Sequence, residues 1–570
     1  MVNYYWKVQT VEQEKAAKLK EELGLTSNII SKIFVQRGLE KFKQVKEFIH
    51  PQLSNLHDPF LMKDMDKAVK IILAAINQKE KILLYGDYDV DGTSSIALSY
   101  RYLSKIYDQK EFDYYLPDRY AEGYGISKAG IDYAIQNGFR LIISLDCGIN
   151  SVGLIKYASD NHISTIVCDH HIPGDILPPA KAILNPKQPG CPYPFKELCG
   201  CGVAFKLFCA LNTYLNLPEE NYLQLLDLAA LATGADIVPL TGENRIITWH
   251  GLKKLNTNPC TGLHALKKVC GSDQKFNNEK TVFYLAPRIN AAGRMAHGNL
   301  AVKLLIEDNM DQADELARQL QELNNQRKTL LQKATEEAIA CVEKDSTYSQ
   351  KKTTVLFHKD WHQGILGIIA SKMVENYYRP AVILTDGSES IKGSARSVNG
   401  YNIYEALKQC ENSLEKFGGH ASAAGVSLAE SHLNRFADEF DKVVSNTISP
   451  EDMIPKIYID SEISLDEINF KLYRTICRME PFGPENTKPI FLTKRITLDI
   501  PPRVLNEKHV RFTFRQYDST SLNGIAFNMA EKLPSLRTEN PIDFVFSIEE
   551  NIWNNSSNLQ INIIDFRNSK

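Results

Sequence analysis

Four short segments carry the residues best suited to chemistry: Asp87-Tyr88-Asp89-Val90-Asp91-Gly92, Asp146-Cys147-Gly148, Asp169-His170-His171 and Ala235-Asp236. Each places acidic residues just after an apolar run and just before a turn. Crowded carboxylates repel one another, which is costly unless protons or hard divalent cations compensate the charge. Carboxylates with an imidazole suit Mg²⁺ or Mn²⁺, and the nitrogen ligand favours Mn²⁺ somewhat. Two such ions, about 3.5 to 4 Å apart, activate a water and stabilise the leaving oxygen of a phosphoester. Asp87, Asp89 and Asp91 alternate, so they share a face if the segment stays extended. They gather around a helix amino terminus if the chain turns at Gly92. A calcium loop is the competing reading of the run, but no glutamate follows at the EF-hand position and a strand precedes it.

The apolar runs are Ile82-Leu83-Leu84-Tyr85, Leu141-Ile142-Ile143-Ser144-Leu145 and Thr165-Ile166-Val167-Cys168, short and aliphatic or β-branched, as strands buried on both faces should be. An open α/β sheet binds ligands outside the carboxyl ends of its strands, where these carboxylates would sit. From about residue 60 to 260 such runs alternate with amphipathic segments, among them Asp66 to Gln78 and Lys128 to Gln136, and this predicts βαβ units. A helical arm ending near His50-Pro51 precedes them. From Asp308 to Lys344 there is neither glycine nor proline. Leu316, Leu320, Leu323, Leu330, Ala334 and Ala338 there recur at helical spacing, and Asp308, Asn309 and Asp311 are candidate caps, so one long helix is predicted.

Strand candidates Thr354-Val355-Leu356-Phe357 and Ala381-Val382-Ile383-Leu384 predict a second α/β unit. Its glycines cluster at Lys392-Gly393-Ser394-Ala395-Arg396-Ser397 and in a loop at Gly418-Gly419-His420. Beyond Ile457 the period becomes two, in Val510 to Arg515, Asp543 to Ile548 and Leu559 to Ile564, which predicts a small barrel or sandwich. The expected fold class is α/β, with domains at residues 1–58 (helical arm), 59–300 (parallel sheet), 301–345 (connecting helix), 346–450 (second α/β) and 451–570 (barrel).

A chain of 570 residues exceeds what one core supports. A net charge of −3 gives no global reason to bind nucleic acid, so a polyanion would need a local basic groove with its cations at the carboxylates. The eleven cysteines follow no framework, the first residues lack a signal-peptide pattern, and no run reaches the roughly 20 apolar residues of a membrane span. A cytoplasmic location and no membrane contact are expected. Cys191, Cys199 and Cys201 are too few and wrongly spaced for a zinc ribbon and are read as buried thiols in a glycine-flanked loop.

Together with Pro117-Asp118-Arg119-Tyr120-Ala121-Glu122-Gly123-Tyr124-Gly125, Ala286-Pro287-Arg288-Ile289-Asn290-Ala291-Ala292-Gly293-Arg294, Trp361-His362-Gln363-Gly364 and Phe417-Gly418-Gly419-His420, these segments resemble the DHH phosphoesterase superfamily, and within it the branch of single-strand-specific exonucleases, over nearly the whole chain. The resemblance implies Mn²⁺- or Mg²⁺-dependent hydrolysis of single-stranded DNA from its 5′ end to 5′-mononucleotides, by two ions, in DNA repair and recombination. It implies direct ligation by Asp89, Asp91, Asp146, His170 and Asp236, with Asp146 bridging. Asp87 and Asp169 are implied as ligands or as orienters of ligands, and His171 as facing the scissile phosphate. Arg119, Arg288, Arg294, Ser394, Arg396 and His420 are implied to hold the terminal phosphate or the strand, which suits arginine forks and exposed backbone amides. The carboxyl-terminal strands resemble this family's OB-fold, introduced by Pro481-Phe482-Gly483, with Phe512, Phe514, Phe527 and Trp553 as candidate stacking rings.

The implied partners are single-stranded DNA, a single-strand binding protein and a helicase, and a monomer is expected. Two departures stand out: Ala232-Thr233-Gly234-Ala235 before Asp236, and Glu485-Asn486-Thr487 after the OB-fold introduction, where Glu485 would repel phosphate. Two competing readings are a catalytically dead DHH scaffold, which the full set of acidic and histidine positions opposes, and a hydrolase of short RNA or cyclic dinucleotides, which has no use for the extra domain.

Overall fold

The computed structural model describes residues 4–569 apart from 26, 272–274, 388–389, 516–520, 538 and 554–555, and apart from the side chains of 552, 553 and 556. The chain divides into two compact units, one of residues 47–327 with 480–487, the other of residues 1–46, 328–479 and 488–570. The chain opens not with a helix but with strand β1 (Tyr5–Val8), which pairs in parallel with a strand more than four hundred residues later. The predicted helical arm follows as Gln13–Leu23, Ile29–Gln36 and Phe42–Ile49. The period-two signal of a four-residue strand is too short to register before that periodicity.

The first unit is built on five parallel strands, β2 (Lys81–Gly86), β3 (Phe112–Tyr115), β4 (Phe139–Leu145), β5 (Ser164–Cys168) and β6 (Ala182–Leu184), ordered β3-β2-β4-β5-β6. Alternate residues of β2 feed two cores: Ile82 and Leu84 join one, Leu83 and Tyr85 the other. Both faces are therefore covered, as the uninterrupted apolar runs predict. The predicted amphipathic helices form as Met65–Asn77 and Lys128–Gln136. Because β2 connects first to β3 on one side while β4 lies on its other side, the strand order reverses between β2 and β4. The crevice at their carboxyl ends is the place where such sheets bind ligands.

The second unit holds a mixed sheet of β7 (Thr354–Phe357), β8 (Ala381–Thr385), β9 (Ile391–Arg396), β10 (Lys416–His420) and β11 (Ala423–Leu428). Its order is β10-β11-β9-β8-β7, with only β7 and β8 parallel. Both glycine clusters lie in strands: residues 392–396 form part of β9, and Gly418-Gly419-His420, read from the sequence as a loop, end β10. Glycine lowers strand propensity, but cross-strand pairing on both sides of β9 and β11 overrides it. The strand β12 (Lys456–Ile459) pairs with β1 and is followed by β13 (Ser461–Glu462). Then β14 (Phe491–Leu505), β15 (His509–Arg515), β16 (Leu522–Ala526), β17 (Ile542–Trp553) and β18 (Ser556–Asn568) run β14-β15-β16-β18-β17, and β17 returns to β14. The five strands close into a barrel, so the predicted alternation becomes inside against outside.

The long helix is Met310–Lys344 and carries the division between the units. It starts later than residue 301, because Asn299–Ile306 is a separate helix and Glu307 is extended. The Glu307 carboxylate accepts the N–H of Asp308 and of Asn309, and Asn309 Oδ1 accepts that of Gln312. Of the three candidate caps, Asn309 takes the N–H three residues on.

Candidate metal centre

The run after β2 turns into a helix. Asp89 is the N-cap of Val90–Leu103, its Oδ1 accepting the Gly92 N–H at 3.0 Å, and Asp91 lies in the first turn. Side chains capping the first free N–H groups favour this arrangement, and the helix dipole favours carboxylates there. Gly92 is required sterically, since a Cβ would collide with the Asp87 carbonyl oxygen. The Asp91 carboxylate accepts the N–H of Gly200 at 2.6 Å and of Cys201 at 2.7 Å, anchoring itself to the first turn of Gly200–Tyr214.

Asp146 follows β4 with φ of 61°, and its N–H donates to the Cys168 carbonyl. A Cβ on Gly200 would lie 2.5 Å from the Asp146 Cβ, so only glycine admits the second helix this close. Asp169 follows β5. Asp236 sits not at a strand end but as the C-cap of Leu226–Ala235, before Ile237 in left-handed backbone. An apolar run ahead of an acid does not by itself distinguish a buried strand from a buried helix.

These residues converge. His170 Nε2 stands 3.3 Å from Asp146 Oδ1, 3.5 Å from Asp236 Oδ2 and 3.9 Å from Asp91 Oδ2. Asp91, His170 and Asp236 form one set whose ligand atoms all lie within 4.8 Å of one another, and Asp146, His170 and His171 form another. The two sets share His170. Asp89 and Asp87 flank them. Asp146 Oδ1, Asp236 Oδ2, Asp87 Oδ2 and both His170 ring nitrogens are buried without a hydrogen bond. A buried polar atom left unpaired is expensive, and here several unpaired oxygens point toward a neutral nitrogen donor. Burial first, then the Asp89 charge, pushes Asp91 up to about 7. Burial and neighbouring carboxylates push Asp87, Asp146 and Asp236 well above the usual range. Burial and the adjacent His171 hold His170 down to about 3, so its imidazole is neutral and offers a lone pair. This donor set fits hard divalent cations, whose charge reverses the penalty on each carboxylate.

Asp169 plays a different part. Its Oδ1 accepts the His170 N–H (2.7 Å), the His171 N–H (3.1 Å) and His171 Nδ1 (2.7 Å), while Oδ2 accepts the Ile149 N–H (2.9 Å). Burial alone would raise this carboxyl, but the His171 hydrogen bond and charge and the backbone donor hold it below its ordinary value. Asp169 orients both histidines and has little left to offer an ion.

The implied phosphate residues fall into two groups. In the first unit, the Arg119 guanidinium lies 4.7 Å over the Tyr88 ring, between two site aspartates in sequence. Arg294 is on Ala286–Met295, and its carbonyl accepts the Tyr120 hydroxyl. Arg288, on the same helix, is only 7% exposed and donates to Gln321 Oε1 at 2.6 Å and to the Tyr284 carbonyl at 2.5 Å. Two of its five N–H donors are thus engaged, by its own helix and by the long helix.

In the second unit, Arg396 donates to Ser394 Oγ at 3.0 Å along β9. Arg396 pairs across the sheet with Ala423, and Ala423 with His420. Ser394 pairs with Gly425, and Gly425 with Gly418, and a Cβ at either glycine would meet open space. The result is a row bearing a hydroxyl, a guanidinium and an imidazole, open at Gly418 and Gly425, with Ser394 and Arg396 beside Gly367 of the helix Leu366–Tyr377.

Of the stacking candidates, Phe512 and Phe514 are fully buried in the barrel, where a small closed sheet needs large apolar rings. Phe527 is 49% exposed, edge-on to His509. The Trp553 side chain lies outside the described residues. The segment read as introducing the OB-fold belongs to the first unit. Leu240 N–H donates to the Pro484 carbonyl, Asn278 Nδ2 to that of Phe482, and Arg245 to those of Glu480 and Pro481. A Cβ on Gly234 would lie 2.5 Å from Oδ1 of the same Asn278, so glycine there admits the residue that holds the Phe482 carbonyl.

Sequence reasoning missed two participants. Gly200 was hidden among the cysteines, although Gly200-Cys201-Gly202 before an apolar run signals a close helix approach. Tyr124 stood within a recognised motif without a role, yet its hydroxyl reaches both His171 and Asp146.

The sheet, its switch-point carboxylates and the Asp-His-His turn define a DHH-type phosphoesterase. The chain matches the DHH family, N-terminal domain, over residues 81–233, the DHHA1 domain over 350–446 and the RecJ OB domain over 459–565. It is 39% identical over 564 residues to the single-stranded-DNA-specific exonuclease RecJ of Bacillus subtilis strain 168, covering 98% of this chain and 70% of that protein. It is 33% identical over 573 residues to RecJ of Escherichia coli K12, covering 97% of each. The crystal structure of RecJ from Thermus thermophilus in complex with Mn²⁺ superposes with a TM-score of 0.85 at 26% identity, over all of this chain and 80% of that one. The chain belongs to the RecJ family of single-stranded-DNA-specific exonucleases.

Proposed function

We propose that the chain is a Mn²⁺- or Mg²⁺-dependent 5′-to-3′ exonuclease that hydrolyses single-stranded DNA to 5′-mononucleotides, using two ions. The observation that carries this reading is the convergence of Asp91, Asp146, His170 and Asp236 with buried, unpaired oxygens at the switch point of a parallel sheet. When bound, the cations supply a water nucleophile at neutral pH and neutralise the leaving oxygen. The chain's own groups do the rest. Asp91, Asp146, His170 and Asp236 hold the ions, with Asp89 as a further ligand and Asp87 beside them. Asp169 fixes the His171 imidazole and the backbone of His170, and His171 faces the scissile phosphate. Arg119, Arg288 and Arg294 hold strand phosphates. Ser394, Arg396 and His420 take the terminal phosphate, which sets the 5′ polarity.

As domains we keep the four-part division read from the sequence after the amino-terminal arm, with residues 480–487 set apart on the first unit, and the barrel adds affinity for the strand. A single-strand binding protein and a helicase are the partners that would present such an end, in DNA repair and recombination. A cytoplasmic monomer fits this work. The test compares a labelled 5′-phosphorylated DNA strand, its RNA counterpart and a blunt duplex, each with Mn²⁺ and with chelator. Cleavage of the DNA strand from its 5′ end with Mn²⁺ alone supports the reading. Equal cleavage of duplex, or cleavage in chelator, overturns it.

A further inference from the structure

The segment 117–125, between β3 and Lys128–Gln136, touches the site at four places. The Gly125 N–H donates to Asp87 Oδ1 at 3.4 Å, and Arg119 covers Tyr88. The Tyr124 hydroxyl donates to the Asp146 carbonyl oxygen at 3.1 Å and lies 3.2 Å from His171 Nε2. The segment is stiffened from within. The Glu122 carboxylate accepts the Asp118 N–H and the hydroxyls of Tyr115 and Ser127, and Asp118 Oδ1 accepts the N–H of Tyr120 and Ala121.

We propose that Tyr124 is a positioning residue for hydrolysis, its single hydroxyl fixing both the Nε2 side of His171 and the left-handed peptide of Asp146. Three observations carry this. The His171 ring is held at Nδ1 by Asp169 and has Tyr124 at its other nitrogen, so the two contacts together define ring rotation as well as tilt. A non-glycine residue with φ of 61° is costly to hold, and the hydroxyl gives its carbonyl a hydrogen bond. Finally, Tyr124 is 53% exposed with its ring edge-on to Tyr88 and to His171, so its place is set by the hydroxyl and the motif turn rather than by burial in a core.

The inference rests on His171 facing the scissile phosphate, and the experiment separates the two. Steady-state hydrolysis of a 5′-phosphorylated strand at saturating Mn²⁺ is measured for wild type, Tyr124→Phe, His171→Ala and the double variant. Tyr124→Phe keeps the ring and loses the hydroxyl with its bond to the Asp146 carbonyl, so the melting temperature should fall only slightly. A kcat lowered about tenfold with KM within about twofold is expected, the worth of one well-placed hydrogen bond. The double variant should lose less than the two single losses combined, because part of the Tyr124 effect runs through that ring and the rest through the Asp146 peptide. An unchanged kcat in Tyr124→Phe, or an unchanged kcat with a lower KM, overturns the proposal, the latter showing that the hydroxyl only occupies the place of a phosphate oxygen. Additive losses in the double variant overturn it too. A wild-type rate in His171→Ala rejects the role assigned to His171, and the inference with it.

Discussion

The acidic crevice of the first unit and the glycine-flanked row of the second are both read as phosphate-directed sites, yet they are made in opposite ways. In the crevice almost every carboxylate is buried, and much of its hydrogen-bonding capacity is fixed by backbone N–H groups: Asp91 by Gly200 and Cys201, Asp169 by Ile149, His170 and His171. In the row, Ser394, Arg396 and His420 stand on paired strands with open space over Gly418 and Gly425. Catalytic groups that must be placed finely are bonded to backbone, while groups that receive a mobile chain end are left accessible. The difference teaches that charge type alone does not divide chemistry from binding; how deeply each group is buried does.

The sharpest way to break this contrast is Asp146→Ala, which should cut kcat at least about a thousandfold while leaving the fold intact, since the cations and their several kcal/mol of transition-state stabilisation go with it. Circular dichroism and a hydrolysis assay check it, and retained nuclease activity would sink the metal assignment. Arg396→Ala should act on binding instead. Affinity for a 5′-phosphorylated strand should fall about thirtyfold, as one charge-assisted pair is worth roughly 2 kcal/mol, with affinity for a 5′-hydroxyl strand little changed. If both strands lose equally, the row does not read the terminal phosphate.

A smaller effect comes from pH. The Asp91 carboxyl is raised from 3.8 to about 7 by burial and by Asp89, so the folded chain holds its proton more tightly than the unfolded chain. That contribution to stability is fully present below 3.8 and is lost as pH rises through about 7. Chelated protein should therefore melt at a lower temperature at pH 8 than at pH 5, and Mn²⁺ should restore the loss. A chelated melting temperature that rises over this interval would show that the cluster is compensated by something other than cations. The smallest change is expected in the barrel. Phe527→Ala should leave stability within about 0.5 kcal/mol and weaken strand affinity about fivefold, while Phe512→Ala, in the core, should cost about 3 to 5 kcal/mol of stability. Removing everything beyond Pro450 is a poor test of the barrel, since residues 480–487 brace Leu240, Arg245 and Asn278 of the first unit.

The parallel sheet was legible because its strands are covered on both faces, which leaves uninterrupted apolar runs such as Leu141 to Leu145, and because an acid follows three of them directly. The two geometries open for Asp87 to Asp91 could not be separated by sequence, since an N-cap aspartate and an extended one occupy the same spacing; the Gly92 contact decides it. Asp236 was placed in the right site on the wrong kind of element, because Leu226–Ala235 is apolar all round and hides its period. The end of β10 was read as a loop since glycine there serves an open face, a tertiary property that propensity does not carry. Arg288 and Phe514 belong to motifs and patterns that resemblance links to ligands, and only their partners, Gln321 and the barrel core, say what they touch.

The central claim is that Asp91, Asp146, His170 and Asp236 hold two ions. Counting Mn²⁺ per chain by electron paramagnetic resonance, in wild type and in Asp146→Asn, tests it most directly. Two ions in wild type and fewer in the variant, with hydrolysis lost in parallel, is the predicted result. An undiminished count in Asp146→Asn, or no tight Mn²⁺ in wild type, would contradict it.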